Sequence, residues 1–272
     1  MRPTIAEKRR TFRALHETGC FVIPNPWDAG SAAILQSLGF KALASSSAGF
    51  AWSQGKPDYN VARDDVLAHL AAICAATDIP VNADFENGFA DDPDGVAANV
   101  ALAIETGIAG LSVEDSNWDE NDPLYDFDLS VARIVAARKA VDDSGANVFL
   151  TARSEGFFAG KPDFDDMLAR IKAYAEAGAD CLYAPGLRQE DQIAAVIEAV
   201  APKPVNVLTF GMSVETLTEL GARRISVGGQ LARSAYADLI RVGTEIAETG
   251  DFGGIQGGKV NLNKLYETYR GE

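Results

Sequence analysis

The sequence predicts a (β/α)8 TIM-type barrel, and three observations lead to that fold class. Short apolar runs alternate with longer segments of helical periodicity along the chain. Eight such pairs fit within 272 residues, and each apolar run is too short for a buried helix. This alternation is typical of a parallel barrel, with a doubly wound open sheet as the alternative. We expect residues 1–272 to form one such domain, preceded by an N-terminal helix and completed by a C-terminal one.

Glycine, proline, asparagine, aspartate or serine bounds each predicted strand, as turn chemistry requires. The predicted strands are Cys20–Pro24, Ala42–Ser46, Val81–Phe85, Gly110–Glu114, Val148–Ala152, Cys181–Pro185, Val205–Thr209 and Ile225–Gly228.

The segments between these strands carry the periodicity and the end signals of helices. The stretch "ARDDVLAHLAAICAAT" has apolar residues at positions 66, 67, 70 and 73, which lie on one helical face. The stretch "DFDDMLARIKAYAEAGA" opens with acidic residues and reaches Gly178 as it closes. Acidic starts and glycine stops match the helix dipole and the left-handed cap. Both segments are therefore predicted to be helices.

Composition excludes several classes of function. The formal net charge is −15 and no basic run offsets it, which argues against a nucleic-acid partner. No apolar run approaches the length of a membrane span, and the N-terminus has no apolar signal-peptide core. The three cysteines are widely spaced and form no metal-binding pattern. These features predict a cytoplasmic protein whose partner is a small molecule.

Charged side chains gather where the predicted strands end. Strand three ends with Asp84 and Glu86, strand four with Glu114, and strand five with Arg153 and Glu155; Asp58 lies in the loop after strand two. Barrels place their chemistry at the carboxyl ends of the strands. Each acid could instead cap the following helix, and we expect that structural role for the next residue along strand four, Asp115. Capping explains the Asp84–Glu86 pair poorly.

Clustered carboxylates repel one another unless they are neutral or a cation relieves the repulsion. Without nearby His or Cys, an oxygen-only ligand set favours a hard cation. Mg²⁺ keeps several waters and takes one or two carboxylates directly. We therefore predict a Mg²⁺ site, or Mn²⁺ in its place, with Asp84 as direct ligand and Glu86 and Glu114 acting through water.

An acidic site of this kind needs positive charge to hold an anionic substrate. Arg153 can bind a carboxylate or enolate with its planar fork. The stretch "ASSSAG" offers the backbone N–H groups and hydroxyls of Ser45, Ser46 and Ser47 as a carboxylate cradle, with a simple polar turn as the alternative. Tyr183 and Cys181, on strand six, are candidates to reach the pocket, Tyr183 as a proton donor.

Taken together, these motifs resemble the isocitrate lyase/phosphoenolpyruvate mutase superfamily. The resemblance covers nearly the whole chain and is carried by "SSS" with "GKPD", "NADFENGF", "GLSVEDS", "LTARSEG" and "KPVNVLTFGMSVETLTELGARRISVG". It implies a (β/α)8 barrel, Mg²⁺, and a 2-oxo acid or its enolate as the reacting species. It also implies a homo-oligomer, a dimer or a tetramer, in which the last helix can be exchanged between subunits.

The resemblance also implies roles for individual residues. It places the metal on Asp84, with Glu86, Glu114 and Asp58 around it, and Glu114, Asp58 and Arg153 in the catalytic group. It places the substrate carboxylate at Ser45–Ser47 and an oxyanion against Arg153, and it adds Asn206 to the substrate pocket.

The chain departs from the family in the loop after strand four. Cysteine-type lyases of the family carry Lys-Lys-Cys-Gly-His there, and the phosphonate-handling members carry Lys and Asn. Here the loop contains no Cys, His, Lys or Arg between Asp115 and Arg133. An acidic loop is a poor neighbour for a transferring phosphoryl group. We therefore expect a Mg²⁺-dependent carbon–carbon lyase, most concretely an oxaloacetate decarboxylase. The alternatives are phosphonopyruvate hydrolysis or mutase-like P–C chemistry, and a non-catalytic 2-oxo-acid binder.

Overall fold

The computed structural model describes residues 2–255 and 261–270 and confirms the predicted barrel. The strands in these residues are β1 Phe21–Ile23, β2 Leu43–Ala44, β3 Val81–Asp84, β4 Gly110–Glu114, β5 Phe149–Arg153, β6 Cys181–Tyr183, β7 Val205–Leu208 and β8 Arg224–Ser226. The helices are α1 Ile5–Leu15, α2 Ala29–Ser37, α3 Ser47–Ser53, α4 Arg63–Ala76, α5 Pro93–Glu105, α6 Phe127–Ser144, α7 Phe164–Glu176, α8 Glu190–Val200, α9 Val214–Glu219, α10 Gln230–Thr249 and α11 Leu262–Arg270.

Backbone hydrogen bonds on both sides of β1, to β8 and to β2, close the sheet into a barrel. All neighbouring strands are parallel, in the order β1-β8-β7-β6-β5-β4-β3-β2, and Phe21 pairs with Arg224. On the other side of β1, the Ala44 N–H donates a hydrogen bond to the Pro24 carbonyl at 3.1 Å. In an open doubly wound sheet, β1 and β8 would not pair with each other. That alternative is therefore wrong.

Among the described strands, β4 alone has the predicted bounds, and the other seven differ by one or two residues at one end or at both. β5 extends to Arg153, which pairs with Glu114 on one side and Tyr183 on the other. β8 begins at Arg224, which pairs with Phe21 and Asn206. The backbone ladder defines a strand, whereas the prediction followed apolar character. Arg153 and Arg224 were therefore left outside the predicted strands.

Helix α1 closes the amino-terminal end of the barrel. A capping box between Thr4 and Glu7 starts the helix. Phe12 is fully buried and packs edge-to-face on Phe149, and the imidazole of His16 stacks on Phe149 with ring centroids 4.0 Å apart. Burial lowers the pKa of His16 to about 3, so the ring is neutral. Because α1 covers the amino-terminal end of the barrel, the functional site lies at the carboxyl end.

The last helices lie outside the barrel wall. Of the described residues, those of α10 are mostly exposed, including Leu239 and Ile240. Helix α11 packs on α2 of the same chain: a Cβ added at Gly30 would lie 3.1 Å from the Tyr266 hydroxyl. Exchange of the last helix between subunits stays a prediction. Among the described helices, none combines the length and apolarity needed to cross a membrane.

Candidate active site

A cavity of about 490 Å³ opens at the carboxyl ends of the strands. The structure brings most of the predicted site residues to it. The cavity is lined by Ser45, Ser46, Ser47, Asp58, Asp84, Arg153, Tyr183 and Asn206. Glu86 and Glu114 are buried beside these groups. The predicted acids, arginine and serines therefore form one site, as expected for a barrel.

Arg153 lies at the centre of the acidic groups. Its Nη1 is 3.2 Å from Oδ1 of Asp84 and 3.1 Å from Oε2 of Glu114. Its Nε donates to Oε1 of Glu155. Burial opposes the charge, but the surrounding carboxylates raise the pKa of Arg153 well above its usual value. The guanidinium is therefore a permanent cation, oriented by three acids.

The acids around Arg153 cannot all be ionised. Burial, with repulsion from Asp84, raises the pKa of Asp58 to about 6 and that of Glu86 to about 8. Burial also raises the pKa of Glu114 and of Glu155, more than their contact with Arg153 lowers it. These four acids and Asp84 lie around one guanidinium. Repulsion among their like charges keeps protons on some of them. The site can thus hold protons near neutral pH, or a further cation.

The predicted serine cradle is the start of helix α3. The Ser46 hydroxyl accepts a hydrogen bond from the Gly49 N–H at 3.1 Å and caps the helix. The Ser47 N–H donates to Oδ2 of Asp84 at 3.0 Å, and the Ser45 hydroxyl accepts from the Asp84 N–H at 2.8 Å. The Ser47 N–H therefore holds Asp84 in place and is not available to donate to a substrate. Substrate binding by the three serines stays a prediction.

The donor set fits a hard cation that keeps its own waters. Oε1 of Glu114 and Oε2 of Glu155 are buried with no hydrogen-bond partner among the described residues, and Oε2 of Glu114 has its ion pair with Arg153. In residues 2–255 and 261–270, no group of three or more His, Cys, Asp or Glu is placed to hold a metal directly. Mg²⁺ needs only one or two direct carboxylates. The described residues form no three-carboxylate cage, and Asp84 as the direct ligand stays a prediction.

Asp115 has a structural role, but it does not cap the following helix as we expected: α6 begins at Phe127 and its N-cap residue is Asp126. Its Oδ1 accepts a hydrogen bond from the Glu155 N–H at 2.7 Å. Its Oδ2 accepts from the Tyr174 hydroxyl at 2.7 Å and from Nη1 of Arg170 at 3.4 Å. These buried bonds join the ends of β4 and β5 to helix α7. Asp115 therefore fixes the backbone on which Glu114 and Arg153 sit.

We expect Asp115→Ala to lower the free energy of unfolding by about 3–5 kcal/mol, because it leaves the buried Tyr174 hydroxyl and the Glu155 N–H without their acceptor and removes one carboxylate from Arg170. Chemical denaturation would measure the change. Asp142→Ala is the control: its carboxylate is 66% exposed, its partner Arg138 keeps an ion pair with Asp180, and its loss should cost about 0–1 kcal/mol. Equal stability losses in the two variants would contradict the role given to Asp115.

Two aromatic residues that sequence reasoning missed cover the cavity. The rings of Tyr59 and Trp118 stack with centroids 3.4 Å apart and come from the loops after β2 and β4. Both residues have φ +62°, a left-handed conformation that is unusual for a large side chain. The hydrogen bond from the Asn117 N–H to the Pro123 carbonyl, at 2.9 Å, folds the loop after β4 onto itself. Only the position of Tyr59 next to Asp58 hinted at this role.

Glu155 was predicted at the end of strand five but was assigned no role in the site, and Cys181 was placed wrongly. Arg153 and Glu155 are two residues apart, so strand alternation could have put both on the inner face. Cys181 and Tyr183 share a face of β6, but Cys181 lies one layer lower. There it packs in a buried cluster with Phe12 and Phe149 and does not line the cavity.

The fold and the site define a barrel enzyme with charged groups at its catalytic end. The model of the phosphoenolpyruvate phosphomutase family matches residues 12–247. The chain belongs to this family, within the isocitrate lyase/phosphoenolpyruvate mutase superfamily of lyases and mutases that the motifs predicted.

Similar proteins differ in what they do. A crystal structure of a Burkholderia cenocepacia protein, assigned as a lyase/mutase, is 45% identical, with a TM-score of 0.93 over 96% of each chain. An uncharacterised Mycobacterium tuberculosis protein is 34% identical over 80% of this chain and 81% of its own. An oxaloacetate acetylhydrolase structure with oxalate is 25% identical, with a TM-score of 0.88 over 100% of this chain and 97% of that one. An oxaloacetate decarboxylase of Paraburkholderia xenovorans is 29% identical over 71% of this chain and 66% of its own.

Proposed function

We propose that this protein is a Mg²⁺-dependent carbon–carbon lyase that acts on a small 2-oxo acid through an enolate. Oxaloacetate decarboxylation is its most concrete reaction. The observation that carries the proposal is Arg153, held by Asp84, Glu114 and Glu155 on the wall of the cavity. A fixed guanidinium at this position can stabilise negative charge as it develops on a substrate oxygen.

The loop after β4 favours decarboxylation over the alternatives. Loss of carbon dioxide breaks the C3–C4 bond and leaves its electron pair in the enolate, so the leaving group needs no acid. Cleavage of a larger acid would require a proton donor for the departing carbanion, and phosphoryl transfer would require cations in the loop. The loop instead presents acids. Lys161 lies beside it, with its Nζ 3.9 Å from Oδ1 of Asp122 and its side chain half exposed. It is not a side chain that lines the cavity.

Each group of the chain has a defined task in this reaction. Arg153 donates hydrogen bonds to the enolate oxygen, and its acids keep the fork in one orientation. Ser45–Ser47, at the start of α3, line the cavity and present their hydroxyls to the substrate carboxylate. Asp84, with Glu86 and Glu114 behind it, would hold Mg²⁺, which supplies additional stabilisation of negative charge when bound. The proton that completes pyruvate at C3 comes from water or from one of the acids that remain protonated.

We expect the protein to form pyruvate from oxaloacetate in the presence of Mg²⁺, faster than Mg²⁺ alone, and to release little phosphate from phosphonopyruvate. Steady-state assays with both substrates would measure this, with EDTA-treated protein and protein-free Mg²⁺ as controls.

The outcomes separate the hypotheses by product. Phosphate release far above oxaloacetate turnover would overturn the proposal in favour of P–C chemistry. Tight oxalate binding without turnover of any 2-oxo acid would instead identify a binding protein.

A further inference from the structure

The cavity is larger and more apolar than a four-carbon acid requires. Its volume of about 490 Å³ lies in the range of about 300–1,000 Å³ that holds drug-sized ligands. The acids, Arg153 and the serines occupy one part of its wall. The rest includes an apolar group that we call the outer chamber: Trp52, Tyr59, Trp118, Phe158, Leu208 and Phe210.

Two phenyl rings of the outer chamber are partly exposed. Phe158 is 50% exposed and Phe210 is 38% exposed, and their rings stack with centroids 6.2 Å apart. Exposed apolar groups clustered in a concave surface are typical of ligand-binding sites. Their continuity with Arg153 in one cavity indicates that a single ligand contacts both.

The sequence places glycines where a side chain would disturb these rings. Gly186 has φ +93°, and a Cβ there would lie 3.3 Å from Cδ2 of Phe158 and 2.8 Å from Cβ of Phe157. A Cβ at Gly229 would lie 3.0 Å from Cη2 of Trp52. Both distances to the chamber rings are tighter than ordinary contacts. The backbone therefore approaches Trp52 and Phe158 closely and fixes where they stand.

Two arginines cover the outer side of the chamber. The guanidinium of Arg188 lies 4.3 Å from the ring centroid of Phe210, and that of Arg233 lies 4.9 Å from that of Trp52. Such contacts restrain the aromatic rings and place positive charge next to the outer chamber. In a chain of net charge −15, this charge would draw an anionic ligand towards the cavity.

We infer that the outer chamber binds a bulky apolar substituent on C3 of the 2-oxo acid, an aryl or branched-alkyl group. The inference rests on the proposed function, because it assumes that the carboxylate and oxo groups bind beside Arg153. The flat rings of Tyr59 and Trp118 form one wall of the substituent site, and Phe158 and Phe210 form another. The natural substrate is then larger than oxaloacetate, with the same reacting atoms.

Calorimetry with pyruvate, phenylpyruvate and oxalate, on the full chain with Mg²⁺, tests the inference. Burial of a phenyl group predicts that phenylpyruvate binds about 10–100-fold more tightly than pyruvate. Phe210→Ala and Phe158→Ala should each reduce that ratio several-fold. Phe252→Ala is the matched control, because Phe252 is an exposed phenylalanine outside the cavity and its loss should leave the ratio unchanged.

Equal affinity for pyruvate and phenylpyruvate would overturn the inference, and so would a preference that survives both chamber variants. Oxalate reports the polar part of the site alone. If oxalate binds while the phenyl group brings no gain, the outer chamber fails and the proposed function stands. If none of the three ligands binds, the proposed function itself fails.

Discussion

Arg153→Lys is expected to reduce kcat/KM by about 100–1,000-fold, the size of effect seen when one donor to a developing oxyanion is removed. The lysine keeps the charge but not the geometry. In the protein, Nη1 contacts Asp84 and Glu114 while Nε contacts Glu155. One ammonium cannot meet these acids and present a planar fork to the substrate at the same time.

The measurement is steady-state kinetics with the best 2-oxo acid found in the substrate assays. Arg241→Lys is the matched control, because Arg241 is an exposed arginine that pairs with Asp238 on α10. Thermal unfolding of both variants would show that the barrel is intact. A value of kcat/KM near that of the unmodified protein would place Arg153 outside the reaction.

The strand ends show how far sequence reasoning reaches. β4 was predicted with the correct bounds, because an apolar strand bounded by glycine and an acid is a complete local signal. The alternation of strands and helices then fixed the end of the barrel at which Asp84, Glu114 and Arg153 would meet. These deductions need only period, spacing and topology.

Contacts between loops were beyond the same reasoning. The stacking of Tyr59 on Trp118 joins loops that follow β2 and β4, and both residues adopt a left-handed backbone that only tertiary packing stabilises. The height of a residue along a strand was a further difficulty. Alternation put Cys181 on the same face as Tyr183, but the depth of the cavity decided that only Tyr183 lines it.

The role of Arg153 is the most instructive difference. The sequence predicted that Arg153 binds the substrate, and the structure shows that its guanidinium also pairs with Asp84, Glu114 and Glu155. Such an arrangement holds the cation in place but also lowers the net positive charge available to an anion. A bound cation near Asp84 would compete with Arg153 for the same acids and would leave the guanidinium freer to meet substrate. The metal prediction is therefore linked to the role of Arg153.

Asp84→Ala is expected to abolish detectable Mg²⁺ binding and activity. Asp84 is placed for a direct contact: its carboxylate lines the cavity, and its position is fixed by the Ser47 N–H at 3.0 Å and by Arg153 at 3.2 Å. Glu86→Gln should weaken Mg²⁺ binding less, by about 10–100-fold, because Glu86 is buried behind Asp84 and would act through water.

Calorimetric titration of Mg²⁺, with and without oxalate, would measure both effects. Asp64→Ala is the control, since Asp64 is an exposed acid on α4 whose loss changes net charge equally. Removal of Asp84 also frees Arg153 from one of its acids, so a folded Asp84→Ala protein could still bind oxalate through the arginine alone. Loss of Mg²⁺ binding with weakened but measurable oxalate binding is therefore the expected pattern. Mg²⁺ affinity unchanged by Asp84→Ala would show that the ion, if it binds, is held elsewhere in the barrel.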